Sequence, residues 1–306
     1  MERGGAVLIA GPTASGKSAL AMRVAERLGG IVINADSMAV YRDLTILTGR
    51  PEAADLARVP HRLYGHRDAA EAYSVGLWLA EIESELGHAR AAGALPVVVG
   101  GTGLFFKALT QGLSDIPAVP DDIRARVRAK AEGVEPEILH ARLAAVDPLT
   151  ASRLRPSDPQ RIVRALEVFA ATGQPLAEFQ ARRTPPLVPV TSGVVAVALS
   201  PDRALLREAI DRRFDRMMEQ GAIDEVRRLR YRGLDPALPA MRALGVPSLL
   251  AHLAGDLSLD AAVARSKAET RAYAKRQETF ARHQLPGFGT VAPQEGEAVL
   301  IDQLVR

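Results

Sequence analysis

The chain has 306 residues, 47% of them hydrophobic, enough to bury one large core or two smaller ones. It contains no cysteine, so disulfides, thiolate metal sites and cysteine nucleophiles are excluded together, and any metal must be held by oxygen or histidine. The formal net charge is +3, carried mostly by arginine; that balance suits a phosphate-bearing partner, and suits equally a chain that writes arginine where others write lysine.

The first third alternates strand and helix patterns, which implies a parallel sheet with crossover helices. AVLIA (6–10) reads as a strand, followed by a helix over 17–28 and a second strand, IVINAD (31–36). A polar stretch leads to a helix over 75–92, with Gly93 as its stop. LPVVV (95–99) is a short, continuously apolar strand of the buried parallel kind, closed by GGTG (100–103) and a further helix from Leu104. From Ser114 the texture changes: SDIPAVPDD is a proline-punctuated connection, and residues 121–183 carry only helical patterns until TPPLVPV. Within them Asp158 and Pro159 open a helix that Gly173 stops. GVVAVALS (193–200) returns to strand texture, and arginine-rich helices follow over 203–219, 222–232 and 259–283. No apolar run reaches membrane-span length, and MERGG lacks the basic and apolar regions of a signal peptide; a cytoplasmic location with no membrane partner is expected.

GPTASGKS (11–18) matches the phosphate-loop pattern at every defined position, and has the strand before and helix after that the pattern requires. Successive backbone N–H groups and the helix N-terminus converge there on an anion, Lys17 reaches its terminal oxygens, and Ser18 helps to hold magnesium. The loop does not say whether the anion is the tail of a nucleotide. The LPVVVGGTG strand ends without the acid that ATP-hydrolysing proteins place there, which leaves Asp36, after the second strand, as the best-placed carboxylate. Carboxyl ends of parallel strands face one crevice, so Asp36 and the loop open onto the same space; the alternative is a turn aspartate. A carboxylate facing an electrophile suits proton removal from an attacking hydroxyl or amine. A metabolite kinase, a transferase that expels diphosphate, and a non-catalytic RNA-binding protein gated by a nucleotide all remain open at this point.

GPTASGKS, ADSMAVYRDLTILTGRP, VPHRLYGHRD, LPVVVGGTGLFFKAL, DPQRIVRALEV, RFDRMMEQGAIDEV and TRAYAKRQETF, in this order and spacing, resemble the tRNA dimethylallyltransferase (tRNA isopentenyltransferase) family in its short bacterial form. The resemblance implies an α/β fold with a P-loop NTPase-like core and parallel sheet (residues 1–114 with 191–306), and an inserted helical subdomain (115–190) that contacts tRNA. It implies transfer of a dimethylallyl group from dimethylallyl diphosphate to the exocyclic N6 of the adenine 3′ to the anticodon. The partners would be the tRNA anticodon stem-loop and the diphosphate donor, Mg2+ the cofactor, and the protein a monomer. The general base falls on Asp36, the diphosphate-stabilising arginine on Arg213, and Thr102 lies beside the target nucleotide. The diphosphate-binding residues would be Gly11, Thr13, Ala14, Ser15, Gly16, Lys17 and Ser18, with Ser18 toward the metal. RNA contacts fall on Asp36, Ser37, Met38, Ala39, Thr102, Arg124, Gln160, Arg161, Arg164, Lys275, Arg276 and Gln277. The chain departs from the usual pattern at Met38 for glutamine, TGRP for TAKP, Val246 for an aromatic and Phe280 for tryptophan.

Two arginine-rich features have plainer readings. Arg213 flanks the apolar stripe Leu206, Ile210, Phe214 and Met217, where a surface arginine could lie along its own stem. Lys267, Arg271 and Lys275 recur every fourth residue and form either a solvated helix face or, with little acid expected nearby and Tyr273 and Phe280 interleaved, an RNA-facing stripe.

Overall fold

The computed structural model describes residues 5–191 and 193–305; residues 1–4 of MERGG, Ser192 and Arg306 lie outside the described residues. The chain forms two compact units, Met1–Thr110 with Leu187–Arg306, and Gln111–Pro186.

The larger unit is built on six parallel strands. In chain order its elements are β1 (Ala6–Ala10), α1 (Lys17–Leu28), β2 (Gly30–Asn34), α2 (Ala53–Arg58), β3 (His61–Arg62), α3 (Val75–Ala91), β4 (Leu95–Gly100) and α4 (Gly103–Gln111). The smaller unit contributes α5 (Asp121–Ala131), α6 (Pro136–Val146), α7 (Pro148–Ala151), α8 (Pro159–Thr172) and α9 (Leu176–Ala181). The chain then returns through β5 (Val194–Leu199), α10 (Arg203–Glu219), α11 (Ala222–Tyr231), a 3-10 turn (Pro239–Arg242), α12 (Val246–Ala254), α13 (Leu259–Gln284), β6 (Gly289–Val291) and α14 (Gly296–Val305).

The strand order is β3-β2-β4-β1-β5-β6. Every residue of β1 is buried, as a strand covered on both faces must be. Val7 and Ile9 point into a core with Leu20, Val24 and Leu300, while Leu8 faces Ile33, Trp78, Ile82 and Phe106. Trp78 stacks on Phe105 with ring centroids 4.4 Å apart, a pair that contributes about 0.5–1.5 kcal/mol beyond area burial. A third cluster joins Val40, Tyr41 and Leu44, in the loop after β2, to Phe214, Val226 and Leu249.

The smaller unit is helical, with its own core around Leu139, Leu143, Ile162 and Val168. Helix α8 opens where the Asp158 carboxylate accepts the Arg161 N–H at 3.2 Å and stops at Gly173, whose φ of 68° is left-handed. The unit begins and ends four residues before the limits read from sequence: Ser114 bridges Arg183 and the Thr184 N–H donates to Leu113 O at 2.9 Å within it, while Val188, whose N–H donates to Leu109 O at 3.0 Å, packs in the core of the larger unit.

The sequence reading omits α2, β3, α12, β6 and α14. β3 and β6 have two and three residues, too few for alternation to register, and both lie at sheet edges.

Candidate active site

The carboxyl ends of β1, β4 and β2 lie side by side, with Ala10 opposite Gly100 and Asn34 opposite Val99. Three loops therefore open onto one crevice, the position parallel sheets use for ligands.

The first loop is GPTASGKS. Ala14 and Gly16 take left-handed φ of 63° and 83°, which turns successive N–H groups inward and leads directly into the N-terminus of α1. A residue with a Cβ is strained there; Gly16 avoids that cost and Ala14 bears it. Lys17 Nζ donates to Pro12 O at 3.1 Å, and Ser15 Oγ is buried without a hydrogen-bond partner among the described residues. Desolvation and the charge of Arg213 push the Lys17 ammonium down to about 8, with Asp36 opposing. A cation so placed favours an anion.

The second loop carries Asp36. Buried Asn34 fixes it: Asn34 Oδ1 accepts the Asp36 N–H at 2.9 Å, and its Nδ2 donates to Asp36 O at 2.9 Å and to Leu63 O at 3.0 Å. Asp36 Oδ1 accepts the Met38 N–H at 2.9 Å, while Oδ2 has no hydrogen-bond partner among the described residues. The turn-aspartate reading thus accounts for one oxygen and leaves the other available. Asn34 was legible as a polar residue inside an apolar run, yet the sequence reading passes over it.

The third loop follows β4. Thr102 N–H donates to Ala35 O at 3.1 Å; its Oγ1 accepts the Ser37 N–H at 3.0 Å and donates to Ser37 Oγ at 3.3 Å. Thr102 and Asp36 are therefore held in one framework. Of the neighbouring positions expected at RNA, Ala39 is 3% exposed, and Met38 packs against the core around Tyr41 and Phe214.

Arg213, on α10, points inward. Its Nη1 donates to Thr13 Oγ1 at 3.2 Å and its guanidinium lies against Gly49. Burial lowers its pKa while the Asp36 carboxylate works the other way, so the surface reading is set aside. The segment before Gly49 is pinned by buried Glu225 of α11, which accepts the N–H groups of Thr45, Ile46 and Leu47 at 2.7, 2.8 and 3.0 Å. Sequence reasoning missed Glu225 because its partners lie about 180 positions away.

Helix α13 corrects one expectation. Lys267 pairs with Asp215 at 2.6 Å and Arg271 with Asp211 at 2.5 Å, so acids on α10 neutralise two of the three cations in the stripe. Lys275 and Arg276 remain exposed, Arg276 lying over the Tyr273 ring at 5.7 Å. Burial and nearby Asp36 push the Tyr273 phenol up to about 12. Gln277 is 8% exposed and turned inward. Within the smaller unit Gln160 and Arg161 are exposed, Arg161 pairing with Asp158 at 3.2 Å. Arg164 pairs with Glu167 at 3.3 Å, and Arg124 with Asp121 at 2.7 Å.

Among the described residues no group of three or more histidine or carboxylate side chains could cage a metal ion. Ser18, exposed at the first turn of α1, lines a pocket of about 380 Å3 with Arg50, His61 and Tyr64. Magnesium is commonly held by one or two protein oxygens together with substrate phosphates and water, and the Ser18 hydroxyl after a phosphate loop fits that arrangement. Among the same residues no helix is long and apolar enough to cross a membrane.

A family model described as IPP transferase matches residues 39–284, and one described as isopentenyl transferase matches residues 4–70. The tRNA dimethylallyltransferase of Methylocella silvestris is 63% identical over 296 residues, 97% of each chain; that of Beijerinckia indica is 58% identical over 301 residues, 98% of this chain and 99% of its own. Among solved structures, the tRNA isopentenylpyrophosphate transferase of Bacillus halodurans superposes with a TM-score of 0.70 at 31% identity, over 99% of this chain and 97% of that one. A eukaryotic dimethylallyltransferase acting on tRNA gives a TM-score of 0.81 at 25% identity, over 97% and 77%. With more than half its length matched by the family model and relatives of this identity along nearly all of it, the chain belongs to the IPP transferase family.

Proposed function

We propose that this protein transfers a dimethylallyl group from dimethylallyl diphosphate to the exocyclic N6 of the adenine 3′ to the anticodon of tRNA and releases diphosphate. The observation that carries the proposal is a carboxylate oxygen, Asp36 Oδ2, left without a hydrogen-bond partner among the described residues beside a phosphate loop whose two cations, Lys17 and Arg213, both feel the Asp36 charge.

The N6 lone pair is delocalised into the adenine ring, so the amine is a weak nucleophile. As N6 bonds to the allylic C1 of the donor, Asp36 Oδ2 accepts the N6 proton, a contribution of about 10²–10⁴ in rate. The C1–O bond breaks with its electron pair moving onto diphosphate, whose growing charge meets the loop N–H groups, Lys17 and Arg213. Thr102, tied to Ser37, orients the acceptor base next to Asp36. Magnesium, held through Ser18 and the phosphates, would supply further charge neutralisation at the leaving group. A stacked base cannot enter such a crevice, so the adenine is extruded from the anticodon loop. Lys275, Arg276, Gln160, Arg161, Arg164 and Arg124 are the residues we assign to the RNA backbone. Those already paired with Asp158, Glu167 or Asp121 would exchange a carboxylate for a phosphate.

Unmodified tRNA incubated with dimethylallyl diphosphate should gain the mass of one prenyl group on adenosine. No gain with this donor, together with ATP turnover on a small acceptor, overturns the proposal in favour of a kinase; turnover of neither donor overturns it in favour of a binding protein.

A further inference from the structure

We infer that Gln277 is a positioning residue that sets the spacing between the diphosphate side and the base side of the active site. Gln277 Oε1 accepts the Thr13 N–H at 2.9 Å, and its Nε2 donates to Gly101 O at 2.9 Å. One buried amide thereby joins the phosphate loop after β1 to the loop after β4. What each end holds matters. Thr13 receives Arg213 on its hydroxyl, so the first end fixes the groups that meet the leaving diphosphate. Gly101 precedes Thr102, whose bonds to Ala35 and Ser37 lock the turn carrying Asp36, so the second end fixes the groups that meet the amine.

The fit is tight on the Gly101 side. A Cβ added at Gly101 would overlap Gln277 Nε2, and one added at Gly103 would overlap the Phe280 ring. These glycines admit α13 at a distance that no side chain would permit. Tyr273, one turn before Gln277, lies beside both Thr102 and Gln277 and flanks the bridge. Both polar ends of Gln277 are satisfied by backbone, so the side chain is accounted for within the protein rather than at RNA. In-line transfer between separately held partners is sensitive to such spacing, and a misplacement of about 1 Å can cost about 10²-fold in rate.

This inference rests on the proposed reaction, and the test separates the two. Gln277→Met keeps side-chain length and helix propensity but removes both hydrogen bonds. In the full-length variant, single-turnover prenyl transfer at saturating tRNA and donor should fall about 10²-fold, while tRNA affinity by filter binding stays within about twofold. Independently of catalysis, hydrogen exchange of the peptide covering residues 11–18 should accelerate in the variant, because the Thr13 N–H loses its acceptor. Gly101→Ala, which displaces the same amide, should give the same pattern, and the double variant should be no worse than the poorer single one. Unchanged exchange in the loop overturns the inference whether or not the parent transfers a prenyl group. Weakened tRNA binding with an unchanged rate at saturation also overturns it, in favour of a direct role at RNA. A parent with normal loop protection and no prenyl transfer sinks the reaction and, with it, the positioning role.

Discussion

Replacing Asp36 by asparagine separates the base from the turn. Asp36 Oδ1 accepts the Met38 N–H and its backbone is clamped by Asn34; an asparagine Oδ1 can accept the same N–H, so the loop keeps its shape. What disappears is the second carboxylate oxygen as a proton acceptor. Loss of a positioned general base costs about 10²–10⁴ in rate, or about 2.7–5.4 kcal/mol in the barrier. Stability should move little, since the amide replaces a half-buried carboxylate without orphaning a partner. The assay is rapid-quench single turnover with saturating tRNA and donor, alongside thermal unfolding and tRNA filter binding. The expected result is a rate lowered by at least about 10²-fold with unfolding temperature and tRNA affinity near those of the parent. A variant retaining more than about a tenth of the parent rate would refute the reasoning, because no proton acceptor of that strength would then be in use. A fall in rate matched by an equal fall in tRNA affinity would make Asp36 an RNA-binding group and not a base.

Lys17, held down to about 8, gives a pH signature: it carries a proton below that value and is neutral above it, so inorganic diphosphate, measured by calorimetry without magnesium, should bind with pH-independent Lys17 charge below about 8. Above it the parent's affinity relative to that of Lys17→Arg should fall by up to about tenfold per unit as binding must recruit the proton, the ionisation of diphosphate itself being common to both; a parent-to-variant ratio that stays flat from about pH 7 to about pH 10 would contradict it. Arg213→Ala should slow transfer by about 10²-fold with little change in tRNA affinity, and excess chelator should slow the parent as well; full activity in chelator would remove magnesium from the scheme. Replacing Lys275 and Arg276 together with alanine should weaken tRNA binding and lower its log–log salt slope by about one unit for each phosphate no longer neutralised, while diphosphate binding is retained; an unchanged slope would mean that RNA is gripped elsewhere.

The parts whose hydrogen bonds close locally were legible in the order of amino acids alone. A strand, a glycine-bearing loop and a helix N-terminus are neighbours along the chain, so GPTASGKS declares its fold and its preference for an anion without help from the rest. Helix α8 is legible for the same reason, with Asp158, Pro159 and Gly173 supplying its start and stop within one short segment. Even Asp36 could be placed, because strands of a parallel sheet all end at the same crevice. Whatever depends on partners distant along the chain emerged only with the packed fold. Periodicity could draw Lys267 and Arg271 onto one face of α13 but could not show that Asp215 and Asp211 of α10 lie opposite them. It could not turn Arg213 inward to Thr13, 200 positions earlier, nor give Gln277 its donor and acceptor partners, 264 and 176 positions away. Local rules fix which backbone conformations a segment favours; which side chain completes a site is set by how whole elements pack, and no single segment encodes that distance.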